Sequence, residues 1–186
     1  MKLIFLGPPG VGKGTQANNI CKQFDILHLS TGDILRSEID KGSKIGLKAK
    51  SFMDKGDLVP DNVLLDIVSN SLQNNDAQNG YLLDGFPRTI PQADGLNRIM
   101  KNINQSIDAV ISLIADENEL VKRLINRSKE SGRSDDNPEI IRQRQKTYWK
   151  QTAPLLDYYK NTGILKSING IGEISEITEK IIKALK

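Results

Sequence analysis

Short apolar runs alternate with amphipathic stretches along the whole chain. Runs at 2–6, 26–29, 81–83, 109–114 and 164–167 predict strands. Segments of helical period predict helices over 12–23, 60–73, 90–101, 117–128, 138–151 and 174–185, with two short ones at 33–41 and 44–55 split by Gly42-Ser43. Strands alternating with helices imply a parallel sheet covered on both faces. Ile174, Ile177, Ile181, Ile182 and Leu185 recur at helical spacing and mark the last segment as a packing helix. No internal repeat or low-complexity tract interrupts the alternation, so the 186 residues read as one domain.

The chemistry sits where the apolar runs end. Leu3-Ile4-Phe5-Leu6 empties into G-P-P-G-V-G-K-G-T, Gly7 to Thr15, a phosphate loop. Glycines at 7, 10 and 12 let successive N–H groups turn inward, the following helix offers its positive N-terminus to the same anion, and Lys13 adds a full charge. The general pattern asks for Ser or Thr directly after the lysine; here Gly14 intervenes and the hydroxyl arrives at Thr15, which makes this a sub-type. The second run leads into Ser30-Thr31-Gly32-Asp33-Ile34-Leu35-Arg36, where Thr31 or Asp33 starts and caps a helix and Arg36 can reach back over the loop to a phosphate. The third ends in Asp84-Gly85-Phe86-Pro87-Arg88-Thr89-Ile90-Pro91-Gln92. Asp84 stands where a nucleotide-bound Mg²⁺ finds a carboxylate, often through water; Arg88 projects from the same edge as Arg36, and the Gln92 amide is suited to a base edge.

Composition narrows the setting. A hydrophobic share of 38% suits a water-soluble globule, and a single cysteine, Cys21, excludes an internal disulfide and a cysteine-built zinc site. The first apolar run is cut short by Gly7, the paired prolines and Lys13, so it is no secretory signal, and the others are too short to span a bilayer. The net charge of +3 divides tellingly by type: the 18 lysines are scattered, whereas most of the 8 arginines fall inside motifs. Arginine's planar fork suits bidentate phosphate binding, so the positive charge is directed at small-molecule phosphates and needs no nucleic acid.

Three strand-end motifs in this order and spacing resemble the adenylate kinase branch of the nucleoside monophosphate kinases, over essentially the whole chain. The fold this implies is α/β: a three-layer phosphate-loop fold with a five-stranded parallel sheet flanked by helices. It carries a small helical monophosphate-binding insertion at 30–59 and a short lid at 127–137. The family's G-x-P-G-x-G-K-G-T loop holds ATP, which implies ATP contacts at Gly10, Val11, Gly12, Lys13, Gly14 and Thr15, with Arg127 and, from the Asn169-Gly170-Ile171-Gly172 turn, Gly172. The S-T-G-D-x-L-R and D-G-F-P-R-T-x-x-Q strings imply AMP contacts at Thr31, Arg36, Gly85, Phe86, Pro87, Arg88 and Gln92. The Gly56 to Pro60 turn adds Asp57, Leu58 and Val59 around the base. Arg123 and Arg127, four apart on one helix face, join Arg133 and Arg144 around the transferring phosphoryl group, with Arg133 and Arg144 nearer the AMP. The catalytic set implied is Lys13, Arg88, Arg123, Arg127, Arg133 and Arg144.

Between Arg127 and Arg133 lie only Ser128-Lys129-Glu130-Ser131-Gly132, expected as a polar loop, whereas long family members carry a larger, sometimes zinc-bearing lid. The short form implies Mg²⁺ arriving with ATP and no structural zinc. Arg133 and Arg144 are expected to cluster on an anion, while Asp135 and Asp136 suit a surface pairing with Arg142. His28 reads as a packed, hydrogen-bonded core residue and not a catalyst, Cys21 as buried filler, and Trp149 as packing for the lid helix. The activity implied is reversible transfer of the γ-phosphoryl of MgATP to AMP, giving two ADP and balancing the adenine nucleotide pool. The chain is expected to act as a cytoplasmic monomer on ATP, AMP and ADP, with no nucleic-acid or membrane partner. Two alternatives are a UMP/CMP kinase of the same fold, whose members tend to lack the threonine and glutamine seen as Thr31 and Gln92, and a phosphate-loop switch protein without kinase activity.

Overall fold

The computed structural model describes residues 1–74, 77–131 and 134–186. Among these, five strands form one sheet: β1 (Lys2–Leu6), β2 (Leu27–Ser30), β3 (Tyr81–Asp84), β4 (Ala109–Ile114) and β5 (Leu165–Asn169). Their order is β2-β3-β1-β4-β5 and every pairing is parallel. The register sets Asp84 beside Phe5 on one side and beside Ser30 on the other. Three strand ends, each followed by one of the motifs, therefore meet at a single carboxyl edge, where open parallel sheets bind ligands.

Among the described residues nine α-helices surround the sheet: α1 (Lys13–Phe24), α2 (Thr31–Asp40), α3 (Lys44–Met53), α4 (Asp61–Leu72), α5 (Ile90–Asn102), α6 (Glu117–Ser131), α7 (Pro138–Thr147), α8 (Pro154–Asn161) and α9 (Ile174–Leu185). The period-two alternation of side chains sends the two halves of β1 into separate cores. Ile4 and Leu6 join Leu83, Leu64, Val68, Leu96, Leu155 and Tyr159 on one face; Leu3 and Phe5 join Leu82, Ala17, Ile20, Leu120, Ile177 and Ile181 on the other. Ile177 and Ile181 of α9 are buried as the stripe predicts, while Ile174 at its start is exposed.

Several local expectations are corrected. The cap of α2 is neither Thr31 nor Asp33 but Ser30, whose Oγ accepts from the Asp33 N–H at 3.2 Å. Positions 128–131 continue α6 instead of forming a loop. The segment expected as one helix over 138–151 is α7 followed by a π turn, Tyr148–Thr152, after which α8 begins at Pro154. Proline is well placed there, because the first helical position needs no N–H. Trp149, on the π turn, is half exposed and meets Tyr148 edge to face, so it caps the surface of this segment more than it packs beneath it.

Candidate active site

The carboxyl edge of the sheet opens into a cleft of about 550 Å³. Its floor is the phosphate loop, where Gly7, Gly10 and Gly12 take φ of 145°, 89° and 96°. Gly10 also has no room for a side chain, since a Cβ there would lie 2.7 Å from the Leu120 carbonyl. Lys13, first residue of α1, curls over the loop and donates to the carbonyls of Gly7 (2.5 Å) and Pro8 (3.0 Å). Desolvation lowers its pKa from the usual 10.5 to about 7; Asp84 opposes the shift, and Arg88, Arg144 and Arg127 reinforce it.

Asp84 is 9% exposed at the tip of β3. Burial by itself would raise its pKa, but His28, Lys13 and Arg88 together hold it below the usual carboxylate range. His28 is hydrogen-bonded as expected, but it faces the cleft and is only partly buried. Its Nε2 stands 3.5 Å from Asp84 Oδ2, its Nδ1 lies 3.0 Å from Asn18 Oδ1, and both His28 and Asn18 line the cleft.

Beside the loop, after β2 and β3, stand Arg36 and Arg88. Arg36 pairs with Asp33 one helical turn back (2.5 Å) and faces the cleft with Thr31. Arg88 donates from Nε to the Gly85 carbonyl at 2.8 Å, and its own carbonyl accepts from Thr152 Oγ1 at 2.9 Å. Burial, then the neighbouring Arg144, lowers its pKa to about 10, although Asp84 resists. Asp57, Leu58, Val59, Gly85 and Pro87 complete this wall.

The third side comes from α6 and α7. Arg127 forks onto Asp136, with Nε to Oδ2 and Nη2 to Oδ1 both at 2.7 Å, and Arg144 reaches the same carboxylate at 2.8 Å and Asp135 at 2.9 Å. The two acids thus pair with cleft arginines and not with Arg142, and Asp136, almost sealed from water, is the anion that draws Arg127 and Arg144 together. Each guanidinium still has N–H donors to offer a phosphoryl group. Arg123 donates to Glu119 (2.9 Å) and to the Gly170 carbonyl (3.1 Å), which ties α6 to the 169–172 turn. Arg133 lies outside the described residues.

Residues 5–164 match the family model described as Adenylate kinase. The chain belongs to the adenylate kinase family. It is 50% identical over 184 residues to an adenylate kinase of Leptospira biflexa, covering 99% of each chain. It is 45% identical over 186 residues to one of Stenotrophomonas maltophilia, covering 100% of both, and 43% identical to one of Thermobifida fusca, covering 100% of this chain and 98% of that one.

Most residues that the adenylate kinase motifs single out line the cleft: Gly10, Gly12, Lys13, Gly14, Thr15, Thr31, Arg36, Asp57, Leu58, Val59, Gly85, Pro87, Arg88, Arg123, Arg127 and Arg144, with Asp84. Four do not. Val11 and Phe86 are buried behind the wall, and Gly172 is exposed outside it. Gln92 is the consequential exception. It is fully buried, its Oε1 accepts from the Arg88 N–H and its Nε2 donates to Asp61, both at 2.7 Å, so in this conformation its amide is not presented to a base. Thr147, Tyr148 and Thr152 line the cleft without having been expected. No local pattern of that stretch says which side chains turn inward.

Proposed function

We infer that this chain catalyses reversible transfer of the γ-phosphoryl group from MgATP to AMP, giving two ADP. The observation that carries this reading is the division of cations in one cleft. Lys13 and the phosphate loop follow the central strand β1, Arg36 and Arg88 follow β2 and β3 to one side of it, and Arg127, on the helix after β4, is joined to Arg144 through Asp136; all of them line the same cleft. A hydrolase or nucleotide switch needs one phosphate site; a phosphoryl transferase needs two that face each other.

The protein's part in such a reaction is positioning and charge neutralisation. Loop N–H groups and Lys13 hold the donor phosphates, Arg36 and Arg88 hold the acceptor phosphate, and Arg123, Arg127 and Arg144 offset charge on the equatorial oxygens, with Arg133 assigned there by resemblance. Mg²⁺ enters with ATP as part of the substrate, and Asp84, a carboxylate held ionised beside Gly14, suits it through water. Among the described residues no group of three His, Cys, Asp or Glu side chains is placed to hold a further metal. Segment 30–59 acts as the monophosphate-binding insertion and 127–137 as the lid that keeps water from the phosphoryl group. No helix among the described residues is long and apolar enough to cross a membrane. We place the enzyme in the cytoplasm as a monomer.

The test is a coupled ADP assay with ATP alone and with ATP plus AMP, GMP, CMP or UMP. ADP formation is expected to require AMP and Mg²⁺ and to survive a zinc chelator. ATP turnover indifferent to AMP would move the chain to the switch class, equal rates with UMP to the pyrimidine branch, and stoichiometric zinc in purified protein would contradict the metal assignment.

A further inference from the structure

We propose that Asp61 is a positioning residue that holds the two ends of the monophosphate subsite at a fixed separation, acting through Gln92 and Thr89 on Arg88. The proposal rests on the kinase reading above. Asp61 opens α4 directly after the 57–59 turn that lines the cleft. Its Oδ1 accepts two hydrogen bonds from the segment that follows β3, from Thr89 Oγ1 at 3.1 Å and from Gln92 Nε2 at 2.7 Å. Thr89 in turn caps α5 by accepting the Gln92 N–H at 3.2 Å, and Gln92 Oε1 accepts the Arg88 N–H.

Donor and acceptor roles in this chain allow one arrangement. A carboxylate only accepts, so it takes the NH₂ end of the Gln92 amide and turns the carbonyl end toward the Arg88 N–H; reversing the amide would set oxygen against oxygen and donor against donor. The acceptor oxygen of Asp61 therefore decides the orientation of Gln92, and Gln92 fixes the backbone of Arg88. The guanidinium of Arg88 is then tethered at Gly85 and its carbonyl at Thr152. Asp61 forms no salt bridge among the described residues, so this network accounts for its contacts. Favourable charge at the start of α4 is a competing, purely structural role.

Steady-state kinetics with AMP and ATP varied in turn, beside thermal unfolding, separate the two roles. Asp61→Ala should raise KM for AMP about ten- to a hundredfold, the scale of a lost hydrogen bond to a charged group, and leave KM for ATP within about twofold. Asp61→Asn, which keeps an acceptor oxygen, should restore most of the loss. Asp61→Glu keeps the helix charge but moves the carboxylate by one methylene; it should retain Tm and still raise KM for AMP, and it remains informative if the alanine variant does not fold. Combining Asp61→Ala with Gln92→Ala should cost no more than the worse single change, because both interrupt one path. Equal effects on both KM values, normal AMP kinetics in Asp61→Glu, or additive losses would each overturn the proposal. If the unaltered protein does not use AMP, the kinase reading falls and takes the proposal with it; an active parent with unresponsive variants sinks the proposal alone.

Discussion

Lys13 and Asp136 show how single residues are tuned by what surrounds them. With its pKa lowered from 10.5 to about 7 chiefly by burial, Lys13 binds fewer protons folded than unfolded between those values, so its unfavourable contribution to stability is full below pH 7 and fades as pH rises toward 10.5. Lys13→Met should accordingly gain stability over the parent at pH 6 and lose that advantage by pH 10, as read by urea unfolding at both pH values. Turnover in the variant should fall by orders of magnitude, because charge on the transferring oxygens is stabilised most during transfer. Triphosphate restores the charge, so ATP binding to the parent at pH 8 should take up a proton. Calorimetry in buffers of different ionisation enthalpy would detect that uptake, and Lys13→Met should lack it. Asp136 joins two guanidiniums with its side chain almost fully enclosed, whereas Arg127 is 34% exposed. Asp136→Ala should therefore cost about 3 kcal/mol, the low end for a broken buried pair once solvent near Arg127 is allowed for. That is a fall in Tm of about 6–12 °C for a chain of this size, and a cost below about 1 kcal/mol would mean that the pair is effectively solvated.

At the scale of elements, the hairpin of α2 and α3 depends on one close approach. Gly46 lies where the helices cross, and a Cβ there would fall 2.1 Å from the Glu38 carbonyl oxygen. Gly46→Ala must push the helices apart, at about 1–3 kcal/mol. Since the strain is confined to the insertion, KM for AMP should rise while KM for ATP holds; a uniform loss of both would show that the insertion does not move independently. Helix α7 has a different part. Gln145 donates to the Pro9 carbonyl of the phosphate loop at 3.0 Å, Gln143 to Asp57 at 3.1 Å and Thr147 to the Gly56 carbonyl at 3.3 Å, so one helix touches the loop and the insertion. The π turn after it keeps Thr152 facing Arg88 while Leu155 and Tyr159 of α8, four residues apart, return to the core. A continuous helix over 138–151 was the natural expectation, because the bulge changes the phase of the side chains without leaving a compositional mark.

For the molecule as a whole, the cleft lies between two cores that share only the sheet, so ligands joining its walls should stabilise the entire chain. ATP at about a hundredfold over its Kd adds about 2.7 kcal/mol, which corresponds to a rise in Tm of roughly 5–10 °C. A Tm unmoved by saturating ATP would mean that the nucleotide does not join the walls of this cleft. The order β2-β3-β1-β4-β5 makes this coupling possible, because it sets β1 and its loop beside both β3 and β4. Arg88, at the β3 exit, and Arg123 and Arg127, on the helix after β4, are thereby brought to flank Lys13 although far from it in sequence.

The sequence by itself determined the strands, most helices, and the positions of the phosphate loop, Arg36, Asp84 and Arg88 at strand ends. These follow from local causes: period-two and helical patterning, glycine at positive φ, and proline at turns. It also carried the family. What only the tertiary structure decided was which groups satisfy one another. Gln92 has the right amide for a base and spends it on Arg88 and Asp61; Asp136 sits among surface-like charges and is sealed between Arg127 and Arg144; His28 reads as a hydrogen-bonded core residue and stands in the cleft against Asp84. A hydrogen-bonding side chain advertises its capacity locally, but its partner is chosen by the packing of segments distant in the chain, and burial makes that choice binding, because a polar group cut off from water must be paired.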